Sequence, residues 1–492
     1  MGNSTKLNCL VCFCLLWVFS CSQFEADNWS VTIPKIGSSS SPVAVDLNKD
    51  GYLDIVIGGG AHEFENLEAS ILALDGKTGQ ILWQLSGHNQ VVGTAILQDI
   101  TGDGTDDVFI GGRSATFKAV NGETGELLWE YLAYDDQLDY LNDTTLLNFY
   151  TAQFVPDVDN DGFQDLLSAY GGFVKARPDD TDRPGAYLIL LSGKTGKTIR
   201  KIGVPDGKES YMSPLVHDFG DGLEVIYGTG GEDISGNLYR VKLDAIMAGD
   251  LHSSTILVEG GEKGMIAPPV LVDITMDAVA DIIVATVDGR LVAVDGKSSE
   301  QLWSATPPGD FDTYVMPAPG HFTGDDEIFD FFVSFGKGAW PNTDYTIHLL
   351  VDGSTGAIVS VDTLGSFQYA SPVVADFNKD GKSDALICVN EIMLDINLID
   401  TQEYRLNNFY VFPEGRDPVY TLIDAQVGTN LGSTPLLSDL DHDGNLDLIT
   451  AAMGDPLEFY SFRGLRITRR ELNVKTSSIT YGGYMTKSVL GI

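Results

Sequence analysis

The residues best equipped for chemistry are aspartates, and they recur at a fixed spacing. Five segments match D-x-[D/N/T]-x-D-G-x-x-D in full. The first holds Asp46, Asn48, Asp50, Gly51 and Asp54, and the second Asp99, Thr101, Asp103, Gly104 and Asp107. The third holds Asp157, Asp159, Asp161, Gly162 and Asp165. Asp376, Asn378, Asp380, Gly381 and Asp384 form the fourth, and Asp439, Asp441, Asp443, Gly444 and Asp447 the fifth. Positions 1, 3, 5 and 9 offer carboxylate, amide or hydroxyl oxygens. Position 7 offers a backbone carbonyl, from Tyr52, Thr105, Phe163, Lys382 and Asn445 in turn. Such a set suits calcium, which takes about six to eight hard oxygen ligands in a flexible shell. Glycine at position 6 permits the positive φ of a sharp turn. One such loop alone is equally a solvated Asp/Gly turn. Five copies in register argue for calcium at about five sites.

A further segment keeps the oxygens but carries Ala278 in the glycine place: Asp273, Thr275, Asp277 and Asp281. Alanine at positive φ costs on the order of 1 kcal/mol, so this sixth metal site is left open. Two degenerate copies, Asp218–Asp221–Gly222–Glu224 and His321–Thr323–Asp325 with Asp330 beyond, read as metal-free turns.

Apolar runs follow the loops: Ile55-Val56-Ile57, Val108-Phe109-Ile110, Leu448-Ile449-Thr450. An EF-hand would place a bidentate Glu at position 12 and continue as a helix. These loops therefore read as strand–loop–strand connections. The eight units begin at 46, 99, 157, 218, 273, 321, 376 and 439, about 56 residues apart. Four short strands and their turns fill that length, which is the size of a propeller blade. The expected fold is all-β: a single β-propeller of eight four-stranded antiparallel blades, or seven if the 218 or 321 unit is an insertion. The expected divisions are a signal peptide at 1–20, a tether or closing strand at 21–39, the propeller at 40–470 and a C-terminal extension at 471–492.

A second signature lies between the loops. Asp75-Gly-Lys-Thr78-Gly79 with Trp83 recurs as Asn121-Gly-Glu-Thr124-Gly125 with Trp129. Weaker copies begin at Ser192, Asp295 (with Trp303) and Asp352. This is hairpin turn chemistry. It predicts the outer two strands of a blade, with the Trp packed between neighbouring blades.

The Asp-loop unit with Gly-Gly after its second strand (Gly58-Gly59, Gly111-Gly112) resembles the FG-GAP/VCBS repeat of integrin α-like propellers. The Gly-x-Thr-Gly element with its Trp is similar to the repeat of quinoprotein-like (PQQ-like) propellers. Together these resemblances cover about residues 40–470. They imply a disc with calcium loops at one rim and binding surfaces elsewhere, and no single activity.

Composition narrows the function. The net charge is −40, which excludes a nucleic-acid partner that would need clustered Lys and Arg. Cys9–Ser20 is an apolar run too short to span a bilayer but suited to a signal peptide. It ends in Val18-Phe19-Ser20-Cys21, which resembles a bacterial lipobox and makes Cys21 a candidate for lipidation. Beyond residue 21 only Cys388 is present, so export is read from the N-terminus and not from disulfides.

No G-x-S-x-G, H-E-x-x-H, P-loop or G-x-G-x-x-G motif occurs, and the seven histidines show no metal spacing. The vicinal cysteine pair of quinoprotein dehydrogenases is missing, so that family's chemistry does not carry over. No catalytic residue is assigned. The expected role is a calcium-stabilised binding, adhesion or scaffold module, exported to a bacterial outer membrane or cell surface or, if the leader is an ordinary cleaved signal peptide, secreted, with a protein or glycan ligand. Membrane contact is expected only through the N-terminal lipid. The competing expectation is a polysaccharide-active enzyme resembling propeller rhamnogalacturonan lyases. Its cleft would lie between the segments 131–149 and 175–184, lined by Tyr134, Tyr140, Lys175, Arg177 and Arg183.

Overall fold

The structure, a computed structural model, describes residues 28–481 apart from 61–66, 88, 132–145, 174–175, 177–179, 325–326, 339–342, 397–400 and 455–463. The expected leader, Cys21, Tyr134, Tyr140, Lys175, Arg177 and Asp325 lie outside the described residues. No helix among the described residues is long and apolar enough to cross a membrane.

Short apolar strands joined by tight turns cannot bury both faces alone, so they stack as blades around an axis. The chain forms eight antiparallel sheets, each with four blade strands. Blade 1 comprises Val43–Val45, Asp54–Gly58, Leu67–Leu74 and Ile81–Gly87. Blades 2 to 7 repeat the up-and-down order, with innermost strands starting at Ile96, Gln153, Leu215, Val270, Ala318 and Val373. Blade 8 takes Leu436–Ser438, Asn445–Met453 and Gly464–Lys475 from the end of the chain, and its outer strand, Trp29–Pro34, from the beginning. Trp29 pairs with Arg469 and Pro34 with Gly464, so the ring is sealed by strands from both ends of the chain. The 218 and 321 units are blades like the others, which gives eight and not seven. Past residue 470 the chain finishes blade 8 and adds Ile479–Tyr481 beside the innermost strand of blade 7.

Three departures are local. Blade 3 gains a short strand, Asn148–Phe149, alongside Asp165–Gly171. Blade 4 replaces its outer turn with the helix Leu243–Ala248, closed by Gly249 at φ 78°. Blade 7 extends its central hairpin to Asp384–Ile396 against Thr401–Phe412.

The apolar core lies at the seams between blades. Val56, Ile71, Ala73 and Trp83 of blade 1 meet Val108, Ile110 and Val120 of blade 2. Val270, Ile283, Ala293 and Trp303 of blade 5 likewise meet Phe331, Val333 and Leu349 of blade 6. Every blade needs two neighbours to bury its faces, so ring closure completes the core.

Candidate metal centre

Each Asp-rich loop joins the innermost strand of a blade to the next strand, so the candidate sites recur in the same part of blades 1, 2, 3, 5, 7 and 8. The backbone of the loop makes two left-handed turns. At position 6, Gly51, Gly104, Gly162, Gly381 and Gly444 have φ between 83° and 96°. Ala278 takes the same conformation at φ 68°. Position 4 is also left-handed and was not foreseen. It is filled by Lys49, Gly102, Asn160, Met276, Lys379 and His442, with φ from 59° to 75°. This holds His442 in the turn between Asp441 and Asp443, inside a candidate site.

Carboxylates organise these turns. Asp46 accepts the Asp50 N–H at 3.2 Å and the Gly51 N–H at 3.1 Å. Asp157 accepts those of Asp161 and Gly162 at 3.1 and 2.8 Å, and Asp376 and Asp439 do the same in their loops. Asp50, Asp103, Asp161, Asp380 and Asp443 accept the N–H of the seventh residue, namely Tyr52, Thr105, Phe163, Lys382 and Asn445. The convergence is tightest in blades 3 and 8. One oxygen each from Asp157, Asp159 and Asp165 lie within 4.8 Å of one another, as do oxygens from Asp439, Asp441 and Asp443. Three carboxylates that close repel each other unless a cation sits among them.

The ninth residue serves the fold as well as the loop. Asp54 is fully buried. One oxygen accepts the N–H groups of Leu47 and Asn48, and the other that of Gly76 at 2.9 Å. Asp107 takes Ile100, Thr101 and Gly122, and Asp165 takes Val158, Asp159 and Gly193, in the same pattern. Burial pushes the Asp54 carboxyl up to about 6, against these N–H donors. It raises Asp107, Asp165, Asp384 and Asp447 in the same direction. At the exposed end of the blade 2 loop the sign reverses. The Gly104 N–H is the largest influence holding Asp99 below the usual carboxylate range, and the Asn121 amide that on Asp103.

The partner glycines are those of the second signature, which lies between the third and fourth strands of the blade as expected. Its two glycines have different duties. Gly79 needs positive φ, at 72°, and lies against the Trp29 ring, where a Cβ would come within 2.6 Å. Gly76 has ordinary φ but fits against the Leu53 carbonyl, where a Cβ would stand 1.8 Å from the oxygen. The preceding blade then closes the assembly. Trp29 donates its indole N–H to the Gly76 carbonyl at 2.8 Å, Trp83 to Gly122 at 2.7 Å, Trp129 to Gly193 at 2.9 Å and Trp303 to Gly353 at 2.8 Å. Loop aspartate, turn glycine and neighbouring tryptophan thus form one linked unit at these four seams. The first residue of the turn also reaches back to the loop. Asn121 donates to Asp103 at 2.8 Å and Ser192 to Asp161 at 3.2 Å.

Blades 4 and 8 lack the turn, and an arginine takes its place. Arg469 is fully buried. It grips Asp447 through Nε at 2.9 Å and Nη2 at 3.2 Å, and Asp441 through Nη2 at 3.0 Å. In blade 4 Arg240 pairs with Glu224 and reaches the Gly296 carbonyl of blade 5. Both arginines sit at one register place, opposite Ile449 and Ile226, each two residues beyond the last acidic residue of the loop, Asp447 and Glu224. Neither was singled out from sequence, where each is one more charge on a strand. In blade 6, Asp330 accepts Thr323 and Gly353 N–H groups, holding a turn with fewer acidic groups.

Of the residues expected to line an enzymatic cleft, Arg183 is described. It is paired with Glu209 at 2.9 Å and Asp233 at 3.2 Å.

A family model described as the FAM234A/B beta-propeller matches residues 62–226. No curated protein matches the chain. Among solved structures, a europium-containing methanol dehydrogenase aligns at TM-score 0.58 with 11% identity, covering 90% of this chain and 92% of that one. The quinohemoprotein alcohol dehydrogenase of Comamonas testosteroni aligns at 0.53 with 10% identity, over 90% and 76%. A rhamnogalacturonan lyase of Bacillus licheniformis aligns at 0.50 with 14% identity, over 90% and 75%. At these identities the likeness is one of fold.

Proposed function

We propose that the chain is an exported β-propeller whose blades are stapled by calcium and whose work is recognition. The observation that carries the calcium reading is the grouping of three carboxylate oxygens within 4.8 Å in the loops of blades 3 and 8. Blades 1, 2 and 7 repeat the same turn with Asn48, Thr101 and Asn378 in the third place. A cation there relieves the repulsion and fixes a loop already tied to the blade through its ninth aspartate. This is the logic of the FG-GAP/VCBS repeat, and that finer assignment is part of the proposal. Export rests on the apolar run Cys9–Ser20, and lipidation at Cys21 would hold the disc at a membrane surface. Recognition of a protein or glycan is favoured over polysaccharide cleavage because Arg183, offered for a cleft, is held by two carboxylates.

The test is thermal melting of the full chain with calcium and with EDTA. Each ion at about a hundred times its Kd adds roughly 2.7 kcal/mol, so chelation lowers Tm by many degrees and added calcium restores it. An unchanged melt defeats the calcium reading. Incubation with pectic polysaccharide, followed by ultraviolet absorbance of unsaturated products, tests the enzymatic alternative; sustained product formation defeats the recognition reading.

A further inference from the structure

The blades leave a cavity of about 420 Å³ at the axis, lined by the residues just ahead of each innermost strand. One layer is a belt of hydroxyls. Thr94 N–H donates to Thr151 Oγ1 at 2.9 Å, and Thr151 N–H to Ser213 Oγ at 3.1 Å. Met316 donates to Ser371, Ser371 to Thr434 and Thr434 to Ser41, at 3.0 to 3.1 Å. These groups are engaged in joining one blade to the next.

The rest of the lining is uneven. Tyr150 and Tyr211 come from neighbouring blades with ring centroids 6.2 Å apart, and Tyr314 and Tyr369 with centroids 5.5 Å apart. Blades 8 and 1 present Gly432 and Ser39 instead. Into this space the connection between the second and third strands of blade 4 carries Glu232. Among the described residues its carboxylate accepts no hydrogen bond and forms no ion pair. The nearby cations are committed elsewhere, Arg183 to Glu209 and Asp233, and Lys263 to Asp312. Burial, followed by the charge of Asp233, holds the Glu232 carboxyl up to about 7. Among the described lining residues the basic group is Arg113, on the blade 2 side, where Nε donates to Gln90 at 3.2 Å.

We propose that the axial cavity binds an organic ammonium group, with Glu232 as counter-ion and the tyrosine wall as its seat. A carboxylate in a partly dry site is costly without a partner, and a cationic ligand supplies one. Aromatic rings attract cations through their faces. Calcium would need about six to eight oxygens, and among the described lining residues Glu232 is the one carboxylate. The net charge of −40 draws cations toward the molecule from a distance. This deepens the recognition reading and rests on it, but it is independent of calcium in the loops.

The experiment is isothermal titration calorimetry on the full chain in calcium. The probes are choline, n-butylammonium and the neutral isostere of choline, 3,3-dimethylbutan-1-ol. Choline or n-butylammonium should bind saturably, and choline at least roughly tenfold tighter than the alcohol. Glu232→Gln should remove most of that margin while the calcium-dependent melt stays as in the parent. Equal affinity for choline and the alcohol, unchanged choline binding in Glu232→Gln, or no saturable heat from either ammonium probe overturns the proposal. If Glu232→Gln does not fold, Tyr369→Leu and the choline-to-alcohol ratio on the parent chain decide it. The calcium-dependent melt of the same samples reports failure of the calcium reading separately.

Discussion

Blades 3 and 8 carry the same nine-residue loop with the same crowd of carboxylates, yet they balance the charge differently. In blade 3 the ninth aspartate, Asp165, is held by backbone N–H groups, including Gly193 of the blade's own turn. No side-chain cation pairs with Asp157, Asp159 or Asp165 among the described residues. In blade 8 the outer strand comes from the other end of the chain, so there is no turn to supply that N–H. Arg469 fills the gap and brings a full positive charge to Asp447 and Asp441. A change in connectivity at ring closure has thus exchanged a neutral donor for a charged one. Blade 4, whose turn is replaced by a helix, makes the same exchange with Arg240 and Glu224. A loop with an internal cation has less need of an external one.

The most severe way to break the comparison is Arg469→Leu. It strands the buried Asp447 and should destabilise the fold by about 3–5 kcal/mol, read by urea denaturation. A loss under about 1 kcal/mol would mean that the guanidinium is not what balances the loop. A milder test counts ions by equilibrium dialysis at limiting calcium. Asp159→Ala should remove one bound ion, whereas Asp441→Ala should leave the count unchanged because blade 8 fills last. Equal losses erase the distinction between the two blades.

A third measurement separates loop effects from an unrelated source of acid sensitivity. His348 in blade 6 is fully buried between Ser334 Oγ at 2.8 Å and the Leu364 carbonyl at 3.0 Å. Burial holds it neutral, down to about 4 from 6.5. Because the unfolded chain binds the proton first, stability present above pH 6.5 is lost as pH falls toward 4, at about 1.4 kcal/mol per pH unit. That slope should persist in EDTA and flatten in His348→Gln. The smallest effect belongs to blade 5. Ala278→Gly relieves a left-handed alanine and should add about 0.5–1 kcal/mol, together with tighter calcium binding if that loop takes an ion. No gain in either would mean that the strain at position 6 does not limit the loop.

The blade register was legible because turn glycines, Asp spacing and apolar runs all repeat at one period. The tryptophan seams were legible for the same reason. What escaped was either non-repeating or distant in the chain. Position 4 is left-handed in every loop that follows the full pattern, but Lys49, Lys379 and His442 do not advertise it; Gly102 and Asn160 alone carry the signal. Arg469 lies 22 residues from Asp447, and its role appears only once the third strand of blade 8 is laid beside the second. Glu232 was invisible because its neighbours at the axis come from other blades. Part of the hydroxyl belt is written in the sequence, as the pairs Ser41-Pro42, Ser213-Pro214, Ser371-Pro372 and Thr434-Pro435 just ahead of innermost strands.

The strand Trp29–Pro34 has a mechanical consequence. It is made first and used last, since its partner Gly464–Lys475 follows it by more than four hundred positions. During synthesis the disc stays an open arc until that partner emerges. Afterwards, any pull on the chain ahead of residue 28 is delivered straight to the strand that closes the ring. If the protein is tethered there, the clasp that completes its core is also the point where load from the tether enters.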